Sequence, residues 1–399
     1  MLDAAIVGGG LAGAALALTL ARAGVKVALV ERQSPEALGA EETDGRTTAL
    51  AAGARALMED IGIWEAIEPH AREITDIRVT DRDSTLKVHF DHNDVGGQPM
   101  GHIVENFRLR RALLDAIAAE PRIEAYWNCT LSGFEGDAAG AQLLLEGGQV
   151  LDARLAIAAD GRGSALRRFA DIGVRASDYK QTAIVCAVSH EVPHEGIAHE
   201  RFLDGGPFAI LPMTDGTGGE HRSSIVWTER RSLAEHLLTL EKSALEPELA
   251  RRFGDFLGSL SILGGTWSYP LSVTVAKRLT GPRLVLVGEA AHGMHPIAGQ
   301  GFNVSVRDIQ ELSRSVIKAV SMGQDPGAES LLRAYAKRRW PDIAAMLAAT
   351  DGLNRLFMTN LPPVALARRL GIAAVDRIPP LKRQFQRHAM GLSLFGQGS

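Results

Sequence analysis

The first 32 residues constrain this chain more than any other stretch. Residues 3–7 are a short, mostly apolar run that reads as a buried strand. Gly8-Gly9-Gly10 follows at once, residues 11–23 read as an Ala- and Leu-rich helix closed by Gly24, and residues 25–30 form a second apolar strand ending on Glu31. Gly8, Gly10 and Gly13 therefore make a G-x-G-x-x-G match inside the strand–turn–helix–strand context that gives the motif meaning. Gly8 permits the tight turn, Gly10 lets the backbone approach a pyrophosphate, and Gly13 lets helix and strand pack closely. The helix N-terminus adds unpaired N–H groups and a positive dipole end. Glu31, 18 residues beyond Gly13, is placed to accept both hydroxyls of an adenosine ribose, a charge-assisted bond of roughly 1.5–3 kcal/mol. A merely glycine-rich turn would need neither the flanking strands nor the terminal acid. The stretch predicts a dinucleotide site.

At 399 residues the chain has length for two or three domains and a sizeable core. A net charge of −4 with mixed signs supplies no field for a polyanion, so no nucleic-acid partner is expected. Cys129 and Cys186 lack metal-ligand or redox spacing and are expected to be reduced, packed thiols. The first strand starts at the N-terminus, with no signal peptide ahead of it. No apolar run is long enough to span a membrane. These features predict a cytoplasmic protein.

Downstream, residues 33–45 read as a polar loop, with Arg46 just before a helix that runs to about residue 62. From there Arg46 could reach a pyrophosphate or stand as a solvated cation. Residues 74–90 alternate like strands, and 106–119 form a helix with Leu109, Leu113, Leu114 and Ile117 on one face. Asn106 either caps that helix or contacts a cofactor. The apolar strand 153–159 runs into Asp160-Gly161, where a strand-end carboxylate can take a ligand hydroxyl, although Asp-Gly alone is commonly just a turn. Across 177–275 helical periodicity gives way to recurring strands, interrupted by a helix pair near 232–240 and 246–256. Strand 283–287 then ends on Gly288-Glu289, and residues 294–303 carry Gly299 and Gly301 ahead of a helix at 304–322, a loop whose N–H groups can face an electron-rich group. His292 and His295 have no partners at metal spacing, and packing is the expected role of both. From Arg355 onward, Arg355, Arg368, Arg369, Arg377, Lys382, Arg383 and Arg387 face only one acid, Asp376, with apolar residues between them. Such a tail either lies on an anionic membrane surface or forms a docking helix pair.

Together, the Gly8/Gly10/Gly13–Glu31 unit, Asp160-Gly161 and Gly288-Glu289-Ala-Ala-His292 resemble the FAD-dependent aromatic hydroxylases of the p-hydroxybenzoate hydroxylase-like class. The run His295-Pro-Ile-Ala-Gly-Gln-Gly-Phe-Asn303, followed by Arg307-Asp308, is similar to the ubiquinone-biosynthesis hydroxylases, as are Arg369-Leu-Gly371, Ile378-Pro-Pro-Leu-Lys382 and Ala389-Met-Gly391. The resemblance implies an α/β fold: a glutathione-reductase-type FAD-binding Rossmann domain, an inserted mainly antiparallel β substrate domain and a C-terminal helical segment. The expected division is 1–75, 101–176 and 276–340 for FAD, 76–100 and 177–275 for substrate, and 341–399 for the helical, basic and apolar segment.

The resemblance also implies roles. Gly8, Gly10, Gly13 and Glu31, followed by Arg32, would hold the ADP half, and Arg46 would reach the FAD phosphates. Asn106 would approach the ribityl region, and Asp160 would serve FAD and NAD(P)H. Gly288-Glu289 would bind a ribityl hydroxyl, although the family usually has Gly-Asp there. Gly299, Gln300 and Gly301 would stabilise charge near the reduced flavin, with Pro296 walling the substrate cavity and Asn303 beginning the next helix. Val304-Ser305 stands where the family usually has Leu-Gly, which is expected to alter packing against the flavin.

The implied reaction is hydroxylation of the aromatic ring of a polyprenyl phenol in ubiquinone biosynthesis, through reduced FAD, O2 and a C4a-hydroperoxide. NAD(P)H or a protein donor supplies electrons without a second Rossmann motif. No catalytic base and no metal ligand can be assigned from the sequence. The alternatives are an FAD-dependent reductase acting on an isoprenoid and an inactive flavin scaffold. Expected partners are the phenol and O2, with peripheral membrane contact through 355–399 and membership of a multienzyme complex left open.

Overall fold

The computed structural model describes residues 1–399 except 83, 85, 360, 381, 384, 385 and 387–399. Strands Leu2–Val7 and Val27–Val30 are apolar on both faces, and such strands need cover from both sides. The fold supplies it with a mostly parallel sheet flanked by helices. Its main path runs Thr280–Gly281, Leu284–Leu286, Val150–Ala158, Leu2–Val7, Val27–Val30 and Ile123–Tyr126, with Leu131–Gly136 and Ala141–Leu145 as an antiparallel side branch. Helices Leu11–Arg22 and Gln300–Ser321 pack on each other, and their buried Leu16, Leu20, Ile309 and Leu312 belong to the main core.

The second sheet orders His292–Gly293, Leu260–Ala276, Val174–His190, His221–Arg230, Gly206–Pro212, Ile197–Leu203, Asp76–Asp81 and Lys87–Asp91. Its pairs are antiparallel except Ile197–Leu203 with Asp76–Asp81. One face carries Cys186, Phe208, Ile225 and Trp227 beneath helices Arg231–Leu237 and Lys242–Phe253. The opposite face packs through Ala198 and Met213 on Ile74, Ile103 and Ala49, and through Val88 and Phe202 on Ile297 and Phe357. A small antiparallel sheet, Thr47–Leu50, Gly101–Glu105 and Arg72–Ile74, lies between them in the chain's path.

Several local expectations shift. Arg46 precedes a strand, since Thr47–Leu50 pairs with Gly101–Glu105 and the helix begins only at Ala52. The loop at 33–45 contains a short helix, Pro35–Gly39, capped by the Ser34 hydroxyl, which accepts from the Ala37 N–H at 3.2 Å. Asn106 does not cap its helix; Glu105 occupies that position and the Asn106 side chain turns inward. The helix after the glycine loop begins at Gln300, not at 304, because Gly299 takes the left-handed conformation (φ +62°) that admits it. The second-sheet strands are longer than expected, Val174–His190 and Leu260–Ala276 among them.

Helices Glu329–Met358 and Pro362–Arg377 follow. The second docks on the Lys87–Asp91 edge. Arg368, 4 % exposed, donates from Nε to Asp81 at 2.8 Å, and the His89 N–H donates to Asp376 at 3.1 Å. The expectations for Ala389-Met-Gly391 and Arg387 lie outside the described residues. Cys129 and Cys186 are free thiols, and burial pushes the Cys186 thiol up to about 12.

Candidate cofactor and active site

Parallel register brings the three sequence-distant turns together. Val7 pairs with Ala158, and Ala158 with Leu286, so Gly8, Asp160 and Gly288 leave the sheet along one edge. This is the carboxyl end of a parallel sheet, where open α/β folds bind ligands. Gly8 sits at φ +106°, and a Cβ there would strike the Ala159 carbonyl. On Gly13 a Cβ would collide with the Gly8 carbonyl oxygen. Gly10 differs: its backbone is extended, and a Cβ would meet nothing within 4 Å. A Cβ on Gly301 would likewise meet nothing within 4 Å. Two helix N-termini thus border room that the protein leaves unfilled.

Glu31 is 8 % exposed and oriented by the backbone, accepting from the Gly9 N–H at 2.7 Å and the Gln33 N–H at 2.9 Å. Each carboxylate oxygen keeps lone-pair capacity for a further donor. Arg32 beside it is exposed. Asp160 accepts from the Ala165 and Leu166 N–H groups through Oδ2, at 2.7 and 3.2 Å, while its buried Oδ1 has no partner. A buried acceptor without a donor at a ligand edge fits a group bearing a hydroxyl or N–H.

Arg46 stands at this edge as a clamped fork. Its Nε and Nη2 each donate to Asp44 at 2.8 Å, and its guanidinium lies 4.7 Å over the Tyr269 ring. Its side chain keeps 48 % exposure, whereas Asp44 keeps 5 %. Asp44 also accepts from Arg110 at 2.9 Å, the Tyr269 hydroxyl at 3.2 Å and Asn106 at 3.3 Å. Burial opposes the Asp44 charge, but the Arg46 bond and charge, its backbone N–H and Arg110 hold the carboxyl well below the usual carboxylate range. Asn106 is spent within this network, since its Oδ1 accepts from the Thr48 hydroxyl at 2.6 Å. The sequence reading missed Asp44. Its position two residues before Arg46 in Asp-Gly-Arg was the available signal.

Glu289 is half-exposed and pairs with Arg162 at 3.0 Å. Arg162 also donates to the Ser272 and Met294 carbonyls at 3.1 and 3.2 Å, tying the Asp160-Gly161 turn to the second sheet. Beneath Glu289 lies a hub that sequence reasoning noted only as part of a motif. Asp308, 0 % exposed, accepts from the Gly288 N–H at 2.9 Å, His292 Nε2 at 2.6 Å and Arg339 Nε at 2.7 Å. Burial raises its pKa, yet His292 and Arg339 outweigh that and hold it below the ordinary value. His292 therefore positions the turn. Ser305 fills the space beside Gly288, where a Cβ would come 3.0 Å from its Oγ, and its hydroxyl donates back to the Gly301 carbonyl at 3.1 Å.

The 296–303 loop closes the site. Gly299 lies against Ala49, where a Cβ would sit 3.0 Å from the Ala49 Cβ. The Asn303 side chain spans the same gap, donating to the Ala49 carbonyl at 2.9 Å and accepting from the Ala51 N–H at 3.0 Å. Gln300 is buried and Pro296 half-buried. His295 is fully buried with neither ring nitrogen bonded, edge-on to Tyr179 at 5.2 Å. Burial pushes its pKa down to about 4, with the Arg162 charge acting in the same direction. Among the described residues, no group of three or more His, Cys, Asp or Glu could hold a metal ion.

Comparison with known proteins places this geometry. The FAD binding domain family matches residues 1–350. Ubiquinone hydroxylase UbiL of Rhodospirillum rubrum is 46 % identical over 99 % of this chain and 90 % of its own length. The 3-demethoxyubiquinol 3-hydroxylase of Escherichia coli is 33 % identical over 98 % of both chains. In structure, p-nitrophenol 4-monooxygenase PnpA of Pseudomonas putida DLL-E4 superposes with a TM-score of 0.80 at 17 % identity, covering 100 % of this chain and 99 % of its own, which shows a shared fold. The chain belongs to the FAD-binding domain family, as an FAD-dependent aromatic hydroxylase of the ubiquinone-biosynthesis group.

Proposed function

We propose that this protein hydroxylates the aromatic ring of a polyprenyl phenol in ubiquinone biosynthesis, using FAD, O2 and electrons from NAD(P)H or a protein donor. The observation that carries this reading is the meeting of the three turns at one sheet edge, beside a glycine loop that faces the second sheet. Its support from relatives is the ubiquinone hydroxylase at 46 % identity over nearly the whole chain.

Bound FAD would supply the activation of O2, and O2 would supply the transferred oxygen atom. The protein's own work is to bind, orient and exclude water. Gly8, Gly10 and Gly13 would cradle the pyrophosphate at the helix N-terminus, and Glu31 would take the ribose hydroxyls. Arg46, pre-aimed by Asp44, would meet the phosphates, and Arg32 would border them. Asp160 and Glu289 would accept cofactor hydroxyls, with Gly288 held in place by Asp308. The Gly299–Gly301 backbone would face the electron-rich ring, with Pro296 as a wall. Asn106 and Asn303 would act by bracing the loops on either side. We assign residues 1–75, 101–176 and 276–340 to the cofactor unit, and 76–100 and 177–275 to the substrate unit.

Among the described residues no helix is long and apolar enough to cross a membrane. A polyprenyl phenol resides in lipid, and Leu353, Leu356, Leu361 and Ile378 are exposed along the C-terminal helices. We assign these residues to peripheral contact with a cytoplasmic membrane face.

The test is product mass spectrometry with photoreduced holoenzyme, a short-chain prenylphenol and isotopically labelled O2. One labelled oxygen atom in the product is expected. Unlabelled product carrying added hydrogen would instead make the protein a reductase.

A further inference from the structure

Strand Ile197–Leu203 crosses the second sheet between Asp76–Asp81 and Gly206–Pro212. Its residues alternate between the two faces. Arg201 turns to the outer helices, donating to the Arg252 and Phe253 carbonyls at 2.5 and 2.9 Å, and His199 packs on Phe256 at 4.5 Å. Ala198, Glu200 and Phe202 therefore occupy the inner face. Ala198 packs in a cluster that touches Ala49, and Phe202 in one that contains Ile297. Glu200 sits between these two contacts, opposite the Ala49 strand and the 296–301 loop.

Its surroundings on this face are apolar. Directly across are Val79 and Ala209, and beyond them Ile77, Leu211 and Val226. Ile77, Val79, Leu211, Val226 and Glu200 itself are only partly buried although they lie in the middle of the sheet, while Phe357 of the Glu329–Met358 helix covers the Phe202 end of this face at 3.5 Å. Among the described residues, the neighbouring strands carry one other charge on this face, Asp81, held by Arg82 and Arg368. Further along, Arg222 is held by Glu105 at 2.8 Å. From across the gap, Arg46 is held by Asp44 and His295 lies against Tyr179, and on the helix Glu329–Met358 packed against this strand Arg355 is held by Asp351 at 2.9 Å. The Glu200 carboxylate has no hydrogen bond or ion pair among the described residues, and burial pushes it up to about 7.

Resting on the ring-hydroxylase reading above, we propose that Glu200 is the base that takes the hydroxyl proton of the phenolic substrate. The substrate O–H bond breaks, its electron pair stays on the phenolate oxygen, and the proton ends on a Glu200 carboxylate oxygen. No electron leaves the ring in this step. The resulting phenolate is the stronger nucleophile for oxygen attack. A carboxylate raised toward neutrality is better matched to a phenol, whose own value lies near 10, than an ordinary one.

The experiment compares FAD-loaded wild type, Glu200→Gln and Glu200→Asp, each photoreduced and given 2-prenylphenol and labelled O2 across about pH 5.5–9. Wild type is expected to lose its single-turnover rate below about pH 7. Glu200→Gln is expected to lose that acid limb and to fall roughly 10²-fold or more in rate while retaining FAD. Glu200→Asp is expected to keep an acid limb at reduced rate, which a purely structural role would not produce. Equal rates and equal pH profiles in wild type and Glu200→Gln would overturn Glu200 as the base and leave the hydroxylase reading standing. Wild type that never incorporates label would overturn both.

Discussion

Gly10 and Gly13 are three residues apart and answer different demands. A Cβ at Gly13 strikes the Gly8 carbonyl, so Gly13→Ala is expected to destabilise the apoprotein, read as a lower thermal midpoint. Gly10 has an ordinary extended backbone and open space beyond it. Gly10→Val is therefore expected to leave the midpoint of the apoprotein unchanged while FAD retention on gel filtration falls. His295 makes a separate prediction. Its pKa is about 4 in the fold and 6.5 unperturbed. Between those values the unfolded chain binds more protons, so folding stability drops as pH falls through that window. Urea unfolding at about pH 4.5 and 7 should show this loss in wild type and a smaller one in His295→Gln.

At the scale of elements, the Gly288–Glu289 turn depends on the helix behind it. Asp308 bonds the Gly288 N–H, His292 and Arg339 while fully buried. Removing one member of a buried charged cluster leaves another charge uncompensated, at a cost of about 3–5 kcal/mol. Asp308→Asn is expected to destabilise by that order in denaturant melts and to weaken FAD binding, because the turn loses its anchor. Glu31, by contrast, already has backbone N–H partners on both oxygens. Glu31→Gln keeps one acceptor and turns its NH2 toward the other N–H, so it is expected to lower the thermal midpoint of the apoprotein and to release FAD more readily, measured by flavin fluorescence after dilution.

The whole molecule joins two sheets through loops that sequence periodicity does not reveal. Trp267 and Tyr269, on the inserted sheet, lie over Gly45 and Asp44 of the cofactor side. The C-terminal helix returns across the chain to the Asp76–Asp81 strand, where Arg368 and Asp81 form a buried pair. Of the two readings left open for the tail, docking accounts for the contacts of Arg368 and Asp376 in Pro362–Arg377, so basic residues there are not all surface charge. This separates two roles of the tail. Arg368→Met is expected to lower the unfolding free energy in denaturant melts, by less than the loss of a lone buried partner would, because Arg82 still holds Asp81. Leu356→Glu with Leu361→Glu, both on exposed positions, should keep the melting temperature and FAD content but reduce co-flotation with anionic liposomes.

The opening glycine unit, the strand-end acids and the alternation of the inserted sheet were legible in residue order, because each is a local pattern with one cheap backbone solution. The glycine-to-helix turn needs only neighbours in sequence, and a period of two needs only a strand. Tertiary structure decided the rest. Arg46 gained its aim from Asp44 two residues before it, which Arg110 and Tyr269 hold from 66 and 225 positions away, and Asn106 turned from cap to a buried bridge between Thr48 and Asp44. Asp308 became a hub because Arg339 and His292 converge on it, and the Glu200 carboxylate stands apart because Val79 and Ala209, directly across from it on the adjoining strands, are apolar. Charge in a low-dielectric site is set by whatever lies across the gap, and that is a property of the folded chain.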